Sequence, residues 1–387
     1  MDPYLKDVLD VCLRLLHVTA GIAWIGASFY FVRLDLSLRP SSSRGTVDPR
    51  IAGEFWGVHG GGLYLSQKYR LAPPELIGPL HWFKWEAYTT WLSGFALMVV
   101  LYYADPELRL VDPAIADLAS WEAIALSLGG LVLAWVVYDV LCRTVGKRSQ
   151  VALGVVGVAT FALTAWGASE LFAPRAAYIQ VGAMLGTIMA ANVLLVIIPA
   201  HRKLVTAMEE RQEPDQAPLL EAKARSVHNN YLTLPVLFTM LAGHASFVVG
   251  HERAWVALVV VAVLTASVRH FFNLWHTGRR VWWIPAGVAV GVVALAVWLQ
   301  PEETTLSPLP GPVAFAQVQQ VITGRCSSCH SGVSAPLGIT LVTADEIEAR
   351  ADDIERVVLS RLMPPGNVTG MTEAERSLIA AWVAESR

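Results

Sequence analysis

Residues 324–332 read "GRCSSCHSG". Cys-x-x-Cys-His is the attachment pattern of a c-type haem. The run assigns Cys326 and Cys329 to two thioether bonds and His330 to the proximal iron position. A zinc site would need a second pair of ligands. The other two cysteines, Cys12 and Cys142, stand alone in apolar segments and read as small buried hydrophobes. A sixth iron ligand should follow in a loop. "RLMPPGNVTGMTEAE" (361–375) offers Met363, stiffened by two prolines, and Met371, just ahead of a helix cap. Met363 is the preferred ligand, and a Met/His pair suits electron transfer.

Around this motif the sequence predicts a small all-α domain over 313–387. Thr343 with Glu346, and Thr372 with Glu375, each fit a capping box. One opens a helix ahead of "IERVVLSRL", the other a C-terminal helix "TEAERSLIAAWVAE". Helix, haem loop, helix, loop, helix is the plan of a small cytochrome c domain. The haem would supply the apolar centre that so short a chain lacks. Residues 301–387 carry 11 acidic side chains, 6 Arg and no Lys, so the domain has no basic docking surface. Upstream, "LQPEETTLSPLPGPVAF" (299–315) is rich in Pro, Thr and Ser. It places a semi-rigid linker at 301–312.

The first 300 residues read differently. The chain is 54% hydrophobic and 16% charged, well below the roughly one-quarter charged share of soluble proteins. Eight apolar segments lie near 9–33, 83–103, 121–142, 151–169, 176–199, 230–250, 254–272 and 281–299. Each is long enough to cross about 30 Å of hydrocarbon. The fold class expected is therefore all-α: an eight-helix transmembrane bundle over 1–300, then the cytochrome c domain. No small-residue cleavage site follows the first segment, which is read as a retained helix. Lys and Arg number 16 in the connections 34–80, 143–150, 201–230 and 269–280, against 4 on the other side. The positive-inside rule then puts the N-terminus and the tail outside the cytoplasm. Covalent haem attachment on the outer side of a bacterial inner membrane gives the same orientation from a separate premise. A net charge of −3 gives no sign of a nucleic-acid partner.

Ionisable residues in or beside membrane helices are functional candidates. In "LHWFKWEAYTTWLSG" (80–94), His81, Lys84, Tyr88 and Trp91 recur at helical spacing, with Glu86 among them. "SVHNNYLTLP" (226–235) sets His228, Asn229 and Asn230 side by side. "SVRHFFNLWHTG" (267–278) puts Arg269, Asn273 and His276 on one face, with His270 adjacent. "WGVHGGGLY" (56–64) adds His59 beside three glycines. Singly, each has a bland reading. Trp82, Trp85, Trp282 and Trp283 suit interfacial anchors, Asp139 can pair with Arg143, and Lys84 can snorkel. Asn192 is a further buried polar group. Together at one depth these residues suit a pocket for a flat, polar anion. At the other depth, His17 and His244 are candidate ligands of a haem b. The first helix, "HVTAGIAWIGASFYFVRLD" (17–35), resembles that of HemJ-type protoporphyrinogen oxidases.

"HWFKWEAYTTWLSGFAL", "HNNYLTLPVLF", "VRHFFNLWH" and the fused "CSSCH…MPPGN" tail resemble the bacterial membrane-bound urate hydroxylase family. The resemblance covers essentially the whole chain. It implies oxidation of urate to 5-hydroxyisourate in purine breakdown, with electrons passed to the haem c and on to a downstream cytochrome c or terminal oxidase. On this reading Arg269 forks onto the anion. Asn229, Asn230 and Asn273 meet its carbonyl and N–H edges, with His59, Lys84 and His276 completing the substrate pocket. His81, His228 or His270 serves as the base, with Glu86 as an orienting partner. No flavin, molybdenum or copper motif is present. Two rivals stand beside this one: a quinol or other small-molecule dehydrogenase with a cytochrome c outlet, and a membrane-anchored electron carrier without catalysis.

Overall fold

The computed structural model describes residues 2–40, 48–76, 78–243, 245–300, 312–327, 329–332, 335, 338–364 and 369–386. The linker expected at 301–312 lies, apart from residue 312, outside the described residues, as does His244. All eight apolar segments are helical: α1 (Pro3–Leu36), α2 (Trp85–Met98), α3 (Ser120–Arg148), α4 (Gln150–Ser169), α5 (Pro174–Glu209), α6 (Ala217–Ala242), α7 (Ala254–His276) and α8 (Trp283–Trp298).

Five of them, α1, α3, α4, α5 and α7, are long and apolar enough to cross a membrane. The remaining three fall short for local reasons. The α-helical part of α2 has 14 residues and continues as a π-turn over Val99–Tyr103. Helix α6 carries Arg225, His228, Asn229 and Asn230 up to its midpoint, and α8 has 16 residues. The sixth apolar segment also ends early. Helix α6 stops at Ala242 with Gly243 as C-cap, and a single turn, Ser246–Val249, follows. Large apolar side chains stand outward along the helices, among them Val132, Leu133 and Val136 on α3 and Val290, Val293 and Val297 on α8. That outer surface is compatible with lipid.

The bundle has two ends. The C-termini of α1, α3, α5 and α7 and the N-termini of α2, α4, α6 and α8 share one. It also carries a β-hairpin, β1 (Ile51–His59) and β2 (Gly62–Tyr69), so we call it the hairpin end. The hairpin departs from the all-α expectation. Gly60 and Gly61 both take positive φ, 55° and 82°, which is the two-residue turn that matches strand twist. The base of the hairpin is tied to α1 by the Lys68–Asp35 ion pair and to the chain just beyond α1 by the Arg39–Glu54 bridge.

Helix α5 is the hub, packed on α3, α4 and α6, while α7 lies against α4, α6, α8 and α1. The α5–α6 approach depends on Gly182. A Cβ there would fall 2.9 Å from Cβ of buried Thr239. Gly182→Ala is expected to cost about 1–3 kcal/mol through overpacking, read as a lowered thermal midpoint in detergent. An unchanged midpoint would contradict this packing.

Among the described residues the C-terminal unit has four helices: α9 (Phe315–Arg325), α10 (Ala344–Glu348), α11 (Ala351–Leu359) and α12 (Glu373–Glu385). Val318, Ile322, Ile347, Val358, Ile379 and Val383 form its core, each at most 1% exposed. Both capping boxes are present, Thr343 with Glu346 and Thr372 with Glu375. The single helix expected before "IERVVLSRL" is broken between Glu348 and Ala351. Glu346 accepts from the Thr340 hydroxyl and from the Thr343 and Val342 backbone N–H groups, which holds its carboxyl down at about 2. A depressed carboxylate contributes stability above its unfolded value, about 4.3, and loses that contribution as pH falls through the folded value. The unit should therefore soften between about pH 4.5 and 2, and Glu346→Gln should flatten that dependence in a pH series of melts.

The C-terminal unit sits on the end of the bundle opposite the hairpin. Leu362, 6% exposed, joins a core cluster with Leu110, Val111, Phe172, Val249 and Leu299. Val357 packs against this cluster and against the unit's own core.

Candidate functional site

The polar residues of the hairpin end fall into two clusters on different faces of α6. His228, Asn229 and Asn230 are consecutive, so successive side chains point about 100° apart on an α-helix.

The first cluster lies between α1, α6 and α7. Arg269, 7% exposed, donates to Asn230 Oδ1 at 3.3 and 3.4 Å and to Asn273 Oδ1 at 3.4 Å. Asn273 Nδ2 donates to the same Asn230 oxygen at 3.1 Å. The Arg269 guanidinium stands 3.7 Å from the centre of the Phe29 ring. Two features stand out. Among the described residues no carboxylate pairs with Arg269, and these neutral bonds are long. Asn230 is fully buried, yet its Nδ2 has no hydrogen-bond partner. A buried cation without a counter-charge is costly, and an orphaned buried amide N–H costs about 1–3 kcal/mol. A planar anion set against this group would supply acceptors for both. His276 is half-buried one turn beyond Asn273 and feels the Arg33 and Arg269 charges.

The second cluster lies between α3, α5 and α6. Tyr138 Oη bonds His228 Nδ1 at 2.9 Å and accepts from Asn192 Nδ2 at 3.1 Å. The Tyr138 hydroxyl can donate to His228 Nδ1 or accept from it, according to the imidazole tautomer, and His228 Nε2 faces Gln150 Oε1 at 3.4 Å. Asn192 also donates to Asn229 Oδ1 at 2.8 Å, and it opens the π-turn Asn192–Ile197 inside α5. Such turns recur at functional sites. Arg225, 1% exposed, is matched here by Asp139 at 2.6 Å and Glu221 at 3.3 Å. Asp139 also holds Arg143, as expected, at 2.6 Å. A cavity of about 510 Å³ opens beside this cluster, lined by Cys142, Arg143, Lys147, Gln150, Lys203 and His228 among others.

Other candidates sit elsewhere. His81 and Lys84 precede α2, which starts at Trp85, because Gly78 and Pro79 break the chain just ahead; they do not share a helix face with Tyr88 and Trp91. His81 is exposed against Phe83. Glu86 is half-buried, and its Oε2 is buried without a partner. His59 is exposed at the hairpin turn, away from both clusters. His270 is exposed and bonds Tyr231 Oη at 2.8 Å. Cys12 is exposed rather than buried, and Cys142 is half-buried at the cavity. His17 lies between α1 and α2 with Nδ1 2.9 Å from the Thr90 carbonyl. Gly94 leaves room for its ring, which lies 2.8 Å from where a Cβ would stand. Arg225 and Tyr138 were not singled out from the sequence.

In the C-terminal unit neither Cys326 nor Cys329 is in a disulfide. The His330 Nδ1 lies 2.9 Å from the Ile339 carbonyl. That bond fixes the ring and directs Nε2 outward, the arrangement of a metal-bound histidine. Met371 is 3% exposed within the unit's core, whereas Met363 is half-buried and held by its backbone, with its carbonyl accepting from Arg376 at 3.0 Å. The donor set fits a c-type haem.

Residues 3–300 match the family model described as urate oxidase N-terminal. The chain belongs to that family. No curated protein and no solved structure matches it. The matched span ends where the linker begins, so both polar clusters lie inside the family region. The family points to an oxidoreductase acting on urate, and the long apolar helices are compatible with a lipid environment.

Proposed function

We propose that this protein is a membrane-bound urate hydroxylase that passes electrons to a haem c in its own C-terminal unit, and that the Arg269–Asn230–Asn273 cluster binds the substrate. The observation that carries the site is a buried guanidinium with no carboxylate partner among the described residues, beside an orphaned amide N–H and against an aromatic ring, inside the urate oxidase family region. Urate is a planar monoanion near neutral pH. Arg269 holds its anionic edge, Asn230 and Asn273 read its polar rim, and Phe29 bounds the guanidinium from the other side.

The reaction is urate plus water giving 5-hydroxyisourate, two electrons and two protons. His228, His270 and His81 remain the candidate bases. His228 has a partner on each ring nitrogen, Tyr138 at 2.9 Å and Gln150 at 3.4 Å. Cys326, Cys329 and His330, with Met363 as the sixth ligand, hold the haem c, which accepts electrons one at a time. Such a chain belongs in a bacterial inner membrane with eight spans, its N-terminus and C-terminal unit periplasmic and a further cytochrome c or terminal oxidase downstream.

Arg269 is 15 residues from the far end of α7, roughly 22 Å at 1.5 Å per residue. A haem b on His17 and His244 would shorten that gap, and acid extraction that leaves all haem attached to the protein would remove it. The quinol-dehydrogenase alternative is disfavoured by the polarity of the Arg269 cluster. The hydroxylase reading is tested with isotopic water: 5-hydroxyisourate formed in H₂¹⁸O should carry the label, and label arriving from O₂ instead would overturn it.

A further inference from the structure

Among the described residues, the C-terminal unit meets the bundle at Val357, Ser360 and Leu362. At Ser360 the chain leaves α11 and lies against Gly250. A Cβ on Gly250 would stand 2.5 Å from Cβ and 2.8 Å from Cα of Ser360, so no other residue fits at 250 without moving the segment. Two residues on, Leu362 enters the apolar end of the bundle among Leu110, Phe172, Val249 and Leu299. Arg376, 4% exposed, donates to the carbonyls of Val358 and Met363 on either side of that leucine, and it feels the buried Asp112 of the bundle. Met363 is the next residue in the chain.

From this juxtaposition we infer that Gly250, Leu362 and Arg376 form a latch that keeps the C-terminal unit permanently seated on the bundle, so that it works as a fixed relay and not as an arm swinging on the linker. These are positioning residues. Leu362 and Ser360 set where the Met363 segment stands relative to the bundle, and Gly250 is the position that admits them. The consequence for electron flow rests on the proposed function, but the seating itself does not. A fixed relay needs the linker only as a covalent tie. Once seated, the unit should stay in place when the linker is cut.

The test uses the full chain in detergent with a protease site placed within residues 301–311. After cleavage, the C-terminal fragment of the otherwise unaltered protein should co-elute with the bundle in size exclusion. In Gly250→Leu and in Leu362→Asp it should separate. Gly243→Leu, where a Cβ meets nothing within 4 Å, should retain it. In the cleaved wild-type chain, urate-driven haem reduction should persist. In cleaved Gly250→Leu it should fall at least about tenfold while dithionite still reduces the haem. Loss of the wild-type fragment on cleavage, or its full retention in both latch variants, would overturn the latch. If urate fails to reduce the haem even in the uncut wild type, the functional reading is at fault, and the elution result still decides the seating.

Discussion

Arg269→Met is expected to abolish most urate turnover while leaving the protein as stable as before, or more so. The two halves of this result come from the same fact. Arg269 is buried and, among the described residues, carries its charge without an acid partner. With no substrate present, exchanging it for an apolar side chain of similar length removes a desolvated cation. Such exchanges are often neutral or stabilising by about 1–4 kcal/mol. With substrate present, the same exchange leaves the anion unpaired in a buried site, at about 3 kcal/mol or more, or roughly two powers of ten in kcat/KM. A merely structural arginine behaves in the opposite way, with stability lost and the surviving folded protein still active. Melting curves of the substrate-free variant beside its steady-state kinetics separate the two cases. Arg269→Lys should recover little, because a point charge does not reproduce the planar fork.

Asp139→Ala is expected to show the contrasting behaviour. Arg225 is equally buried but matched, with Asp139 at 2.6 Å and the more exposed Glu221 at 3.3 Å. Removing Asp139 leaves a guanidinium at 1% exposure with one long ion pair. Breaking a buried pair costs about 3–5 kcal/mol, and Glu221 puts the expected value at the lower end. The loss should appear as a thermal midpoint lowered by several degrees. Adding Arg225→Met to Asp139→Ala should restore much of it, because the orphaned charge is then gone. A single variant as stable as wild type would show that the Arg225–Asp139 pair does not hold α3 to α6.

Much of this was legible in the sequence because it is written locally. Apolar length marked each of the eight helices, and the Thr-x-x-Glu boxes marked the starts of α10 and α12. What was missed depends on distant partners. Arg225 reads as one more cation in a basic connection, and nothing nearby announces that Asp139, 86 residues earlier, draws it into the interior. The single pocket expected from His228, Asn229 and Asn230 ignored the turn of the helix, which sends the first and last to different neighbours. The hairpin was legible in principle. Trp56 and Val58 alternate with Phe55, Gly57 and His59 ahead of a Gly-Gly turn, and Leu63 and Leu65 follow in register, but the glycines drew attention as a ligand-binding loop. The seating of the C-terminal unit was not legible at all, since a leucine between an arginine and a methionine carries no periodic signal.

The central claim is that the bundle oxidises urate and the C-terminal unit receives the electrons. Its most direct measurement is the haem absorbance of the purified full-length protein, followed under strict anaerobiosis after a single addition of urate. The account predicts reduction of the haem c with half an equivalent of urate consumed per haem, and no reduction in Arg269→Met. A haem that stays oxidised with urate in excess, yet reduces at once with dithionite, would contradict it.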